Sequence, residues 1–223
     1  MAARPDGTAG TTATELMSMI SDERLRAADL IDSLTAEQLD APSLCGAWTV
    51  RQVAAHLIAP FAARRRWFLP VLVRSRFNLH DANARLAELV ARRPTDQISA
   101  VLRQNAQTPY RAPGVGFLGQ LTDLQVHGQD IRRPLGLAHD LRPERLRASL
   151  DFLTGPRAIG FFVPRGLPTG LRFEATDLGW ASGEGPTVAG PAEPLLLALT
   201  GRPVALDELS GGGVATLRGR LTR

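Results

Sequence analysis

Apolar residues recur at helical spacing along the first half of the chain. Over residues 14–34, Leu16, Ile20, Ala27, Leu30, Ile31 and Leu34 share one face of a helix. Thr35 and Gln38 are placed to cap a short second turn that Pro42 stops. The sharpest local signal follows. In Trp48-Thr-Val-Arg-Gln-Val53, Thr49 and Gln52 form a capping box, and Trp48 and Val53 are spaced as the hydrophobic staple around it. The helix so started is predicted to run through His56 toward Trp67 and Phe68, bent at Pro60. A third helical region covers residues 81–92 and restarts after Pro94, with Thr95 as its cap and Ile98, Val101 and Leu102 inward. A fourth covers about residues 117–133 and stops at Pro134 and Gly136. Four such stretches predict an antiparallel four-helix bundle.

After Pro143 the texture changes. A short helix carrying Leu146, Leu150 and Leu153 leads into a stretch dense in glycine and proline. There residues 171–176 alternate like a strand, and residues 184–190 read as a second, turn-bounded one. Residues 191–201 have proline near a helix start and glycine after its end. Val214, Leu217 and Leu221 suit a final short helix. The reading is therefore α+β: a disordered tail over residues 1–12, a helical bundle over 13–143, and a small α/β domain over 144–223.

Composition narrows the chemistry. With 44% apolar and 22% charged residues in 223, the chain is an ordinary globular sequence. No apolar run approaches the roughly 20 residues of a membrane span, and no apolar stretch after Arg4 suggests a secretory signal. One cysteine, Cys45, cannot form an internal disulfide or a cysteine-rich zinc knuckle, so a cytoplasmic protein is expected. The 26 basic residues are all arginine. Without lysine there is no Schiff-base enzyme and no Walker-type phosphate loop. The net charge of +4 is scattered, with one dense cluster at Arg64, Arg65 and Arg66 read as a solvated face, so no nucleic-acid partner is expected. A monomer or homodimer is the expected assembly.

One constellation carries chemistry. His56 falls on the stripe of Val53, Leu57 and Pro60, turned toward the bundle interior. Asp123 and His127, four residues apart, stack on one face of the last bundle helix. Two histidines and one carboxylate that converge inside a bundle can hold a divalent metal with coordination positions left open. Hydrogen-bonded core histidines would show the same pattern, and spacing alone does not bring His56 to His127. Asp130, one turn beyond, is placed either to orient an imidazole or to pair with Arg133. Residues 114–119 fit G-x-G-x-x-G, but Pro109 and Pro113 precede them where a strand is required, so no dinucleotide site is expected. Cys45 reads as a small apolar filler, His80 and His139 as solvated loop residues, Trp48 and Trp67 as packing residues, and Trp180 as part of a glycine-rich turn.

Two segments resemble a known family. Ala41-Pro-Ser-Leu-Cys-Gly-Ala-Trp-Thr-Val-Arg-Gln-Val-Ala-Ala-His-Leu57 resembles the opening motif of the mycothiol-dependent maleylpyruvate isomerases, within the DinB-like superfamily of metal-binding bundles. Asp123-Leu-Gln-Val-His-Gly-Gln-Asp-Ile-Arg-Arg-Pro-Leu-Gly136 resembles their second motif, and residues 171–221 their small second domain. The resemblance implies zinc, or another divalent metal, on His56, Asp123 and His127, and mycothiol as cofactor or co-substrate. The isomerase is associated with glutamate at the acidic position, and this chain has the shorter Asp123. The resemblance also nominates Arg85 and Arg218 to clamp anionic groups of substrate or thiol. It implies an enzyme that isomerises a small electrophile or transfers the thiol to it. Metal-bound water acting in a hydrolase, and a non-catalytic ligand-binding module, are the alternatives that the residues leave open.

Overall fold

The computed structural model describes residues 12–46, 48–62, 65–76, 78–111, 114–138 and 141–222, with residues 65–69, 79 and 80 described by backbone only. The expectations for the tail at residues 1–11, for Arg64, for the side chains of Arg65, Arg66, Trp67, Phe68 and His80, and for His139 lie outside the described residues. The protein is mostly helical with one small sheet, an α+β arrangement of eleven helices and three strands among the described residues.

Helix α1 (Ala13–Ser33) starts at a capping box in which Thr12 and Glu15 exchange hydrogen bonds, so Thr12 is the N-cap of a helix rather than part of a tail. The short α2 (Ala36–Asp40) starts at the expected box of Thr35 and Gln38. Before α3 (Val50–Ala62), Gln52 N–H donates to Thr49 Oγ1 at 3.3 Å and Thr49 N–H to Gln52 Oε1 at 2.8 Å. These are the two orphan donors a capping box satisfies. Pro60 sits inside α3, and the helix carries on past it to Ala62 before α4 (Arg65–Arg74) begins.

Helix α5 (Leu79–Ala91) is followed by α6 (Thr95–Gln104). Here the expected cap is displaced by one residue: Pro94 occupies the N-cap position, Thr95 is the first helical residue, and no side chain caps the end. Helix α7 (Gly116–Arg132) follows a turn with Gly114 at φ 80° and Gly116 at φ 66°. That left-handed turn accounts for Gly114 and Gly116, and at Gly119 a Cβ would meet the Val115 side chain, so no nucleotide is needed to explain the three glycines.

α1 packs against α6 and α7, and α3 against α5, α6 and α7. Their shared core holds Ile20, Ile31, Ile58, Ile98, Leu102 and Leu121. α7 crosses from this layer into the next, because its other face meets α8 (Pro143–Leu153), which in turn packs on α9 (Ala192–Leu199).

The sheet has the order β2-β1-β3, with β1 (Arg172–Ala175) antiparallel to β2 (Trp180–Gly183) and parallel to β3 (Thr187–Gly190). Trp180 therefore opens a strand, where a turn was expected; its indole is buried and donates to Asp151 at 2.7 Å. All eight residues of α9 are buried, which makes it the axis of the C-terminal unit. A 3₁₀ helix (Pro203–Glu208) and α10 (Val214–Leu221) complete the chain. No helix among the described residues is long and apolar enough to cross a membrane.

Candidate metal centre

His56 reaches the site because the capping box sets the phase of α3: with Val53, Leu57 and Ile58 buried, residue 56 faces α7. On α7, Asp123 and His127 lie one turn apart while Leu121, Leu124 and Ile131 are buried around them. The structure brings the three residues together. Their donor atoms all lie within 4.8 Å of one another. His56 Nε2 is 3.6 Å from Asp123 Oδ2, and His127 Nε2 is 3.4 Å from Asp123 Oδ1.

Those separations decide how the group is read. Direct nitrogen–oxygen hydrogen bonds peak near about 2.9 Å, and both contacts are longer. Two ligands about 2.0–2.1 Å from one tetrahedral ion stand about 3.3 Å apart. Each imidazole thus stands near the ligand-to-ligand spacing from one oxygen of Asp123, and the chemistry of the donor set, two imidazole nitrogens and a carboxylate, fits a divalent ion.

The electrostatics couple the three side chains into one group of opposite charges. Burial by itself would raise the Asp123 carboxyl, but His127 and then His56 outweigh it and hold it well below the usual carboxylate range. Burial opposes charge on His127, yet Asp123 and Asp130 outweigh it and hold the imidazole well above its ordinary value. The site opens past Asp123, whose side chain is 31% exposed against 16% for His56 and 11% for His127. Trp48 covers the other side, its ring 5.3 Å from that of His56 and stacked 6.4 Å from that of His127. Tyr110 is pushed up by burial and then by the Asp123 charge, and its ring stands edge-on to Phe61 at 5.8 Å.

Behind His127 stands a second layer of support. Its Nδ1 lies 2.8 Å from Asp130 Oδ2, so Nε2 is the nitrogen that faces Asp123. Asp130 is fully buried, and Arg202 grips it from the segment after α9: Nε to Oδ1 at 3.0 Å and NH2 to Oδ2 at 2.6 Å. Arg133, the other partner open to Asp130 in sequence, pairs instead with Glu193 at 2.6 Å and with Glu208.

Cys45 is more than the filler expected from sequence. It packs beside Leu39, Val50 and Val53, but it also forms a second cluster with His127 and Asp130, donor atoms again within 4.8 Å. Leu44 N–H, bonded to the Asp130 carbonyl at 3.1 Å, ties this loop to α7. A cation is poorly placed in that cluster, because both Asp130 oxygens are already held by a guanidinium. Of the nominated arginines, Arg85 is exposed on α5, and Arg218 is about half exposed and pairs with Asp207 at 2.7 Å. Arg202 escaped sequence reading. Its only signal there is Gly201-Arg-Pro203 after an apolar helix, one arginine among 26 basic residues.

Comparison with curated proteins and with solved structures finds no match. Residues 20–112, which include α3 and His56 but end before Asp123, match the family model described as mycothiol maleylpyruvate isomerase N-terminal domain. Over this helical segment the chain is similar to that family.

Proposed function

We propose that the protein is a metal-dependent enzyme that uses a small thiol of the mycothiol type to isomerise, or to add sulfur to, a small electrophile. The observation that carries this reading is the convergence of His56 Nε2, Asp123 Oδ1 and Oδ2, and His127 Nε2 at 3.4–3.6 Å. The family of residues 20–112 supplies the class of thiol. We read α1, α3, α6 and α7 as the DinB-like four-helix bundle of that family, a reading supported by their mutual packing.

In this reading His56, Asp123 and His127 hold a divalent ion, zinc being the best match to two imidazoles and a carboxylate. Such an ion, when bound, favours thiolate over thiol near neutral pH and polarises a neighbouring carbonyl. The chain's own residues do the rest. Asp130 keeps the Nδ1–H tautomer of His127. Trp48 and the two imidazoles wall off one side and leave approach past Asp123. Arg85 and Arg218 are the side chains we assign to anionic groups of the substrate or thiol.

The test is a thermal shift. Mycothiol should raise the unfolding temperature of the zinc-loaded protein and leave the metal-free protein unmoved, since only a ligand of the native site stabilises it. The loaded protein should then consume electrophiles such as maleylpyruvate only when the thiol is present. Metal-dependent ester or amide hydrolysis that ignores the thiol would overturn this reading in favour of a hydrolase.

A further inference from the structure

We infer that Arg202 is a positioning residue for the metal centre: the C-terminal unit, through Asp130, sets the orientation of His127. This rests on the metal reading above and adds to it a part of the chain that lies outside the matched family segment.

The argument begins with Asp130, a fully buried carboxylate with three donors on its two oxygens. A carboxylate that held only the His127 Nδ1–H could swivel about its last side-chain bond and let the ring follow. The Arg202 fork removes that freedom. Nε takes Oδ1 and NH2 takes Oδ2, the planar two-point grip that a guanidinium makes and an ammonium does not. The plane of the carboxylate is then fixed, and Oδ2 offers His127 one direction. The ring is locked with Nδ1 protonated and Nε2 turned to Asp123, 3.4 Å away.

Arg202 is itself firmly seated. Its NH1 donates to the Thr200 carbonyl at 2.5 Å, and its backbone N–H to the Leu197 carbonyl at 2.9 Å. Thr200 closes α9, whose residues form the core of the C-terminal unit, and Pro203 starts the next turn immediately after. The grip on Asp130 is therefore delivered by the best-buried helix of that unit. Other arginines also join the two parts of the protein, Arg133 to Glu193 and Glu208, and Arg145 of α8 to Asp22 and Glu23 of α1. These bear on the packing of the parts, and neither contacts a residue of the proposed metal set. Only Arg202, among them, holds a residue that is itself hydrogen-bonded to a ligand.

The experiment measures zinc affinity of the full chain by competition with a chromophoric chelator, together with the unfolding midpoint of each metal-free variant. R202Q should weaken zinc about 10- to 100-fold, R202K should fall between it and the parent, and R133Q should stay within about 3-fold of the parent. R133Q is the control because it breaks an ion pair between the same two parts without touching Asp130. R202Q at parental affinity, or R133Q weakened as much as R202Q, would overturn the inference and leave Arg202 a docking contact. Should R202Q fail to fold, R202K decides by the same comparison, parental affinity again overturning it. A parent that takes up no zinc would sink the metal reading and this inference with it, whereas a parent that binds zinc beside an unaffected R202Q sinks this inference alone.

Discussion

The two histidines of the proposed metal site stand on walls built in different ways. On the α7 wall, His127 is backed by Asp130 and Arg202, and every polar atom behind the ring has a partner. On the α3 wall, His56 Nδ1 is buried with no hydrogen-bond partner among the described residues, and the ring packs against Trp48 and the His127 ring. Apolar packing does not differ in the same way, since Ile58 on α3 and Leu121 on α7 are both fully buried in one core. The contrast teaches that packing brings the donors to within a few ångströms, while hydrogen bonds choose which nitrogen points inward. One wall is preorganised, and the other is free to adjust its ring to an incoming ion.

The largest effect expected from this contrast is on metal uptake. His127→Ala should abolish stoichiometric zinc binding, while His56→Ala should leave weak, measurable uptake, as read by elemental analysis after dialysis; the reverse order would break the comparison. Next comes packing. Ile58→Ala and Leu121→Ala should each cost about 2–5 kcal/mol in urea unfolding, because each deletes a fully buried side chain from the shared core. A cost for Ile58→Ala well below its α7 counterpart would mean that the α3 wall is loosely packed as well as unsupported. Asp130→Asn, which keeps the shape but gives up a carboxylate oxygen, should weaken zinc about 10- to 100-fold by chelator competition. The smallest effect is on the start of α3: Thr49→Ala should cost about 1 kcal/mol of thermal stability by removing the capping box that phases His56.

The difference between the walls also marks what sequence could and could not reveal. The inward face of His56 and the shared face of Asp123 and His127 were legible because a helical repeat of 3.6 residues assigns faces without any knowledge of the partner helix, whereas their meeting was implied only by the family resemblance. The boxes at Thr35 and Thr49 were legible because the reciprocal bonds span three residues. Arg202 was not, since it lies 72 residues from Asp130 and an arginine carries no mark of the carboxylate it will meet. The nearness of Cys45 to His127 was hidden for the same reason. Strand β2 was missed on local grounds: Trp180-Ala-Ser-Gly183 shows no alternation, is bounded by glycines at 179 and 183, and owes its pairing to β1. At Pro94 the missing N–H was read as a stop before a Thr95 cap, where proline itself took the cap position.

X-ray absorption at the zinc edge of the loaded protein reads the ligand shell of the proposed ion itself. An ion on two imidazole nitrogens and a carboxylate oxygen should show nitrogen and oxygen ligands only, at about 2.0–2.1 Å, with imidazole scattering beyond them. A sulfur ligand at about 2.3 Å would contradict this placement, because that distance assigns the ion to the cluster of Cys45, His127 and Asp130 instead.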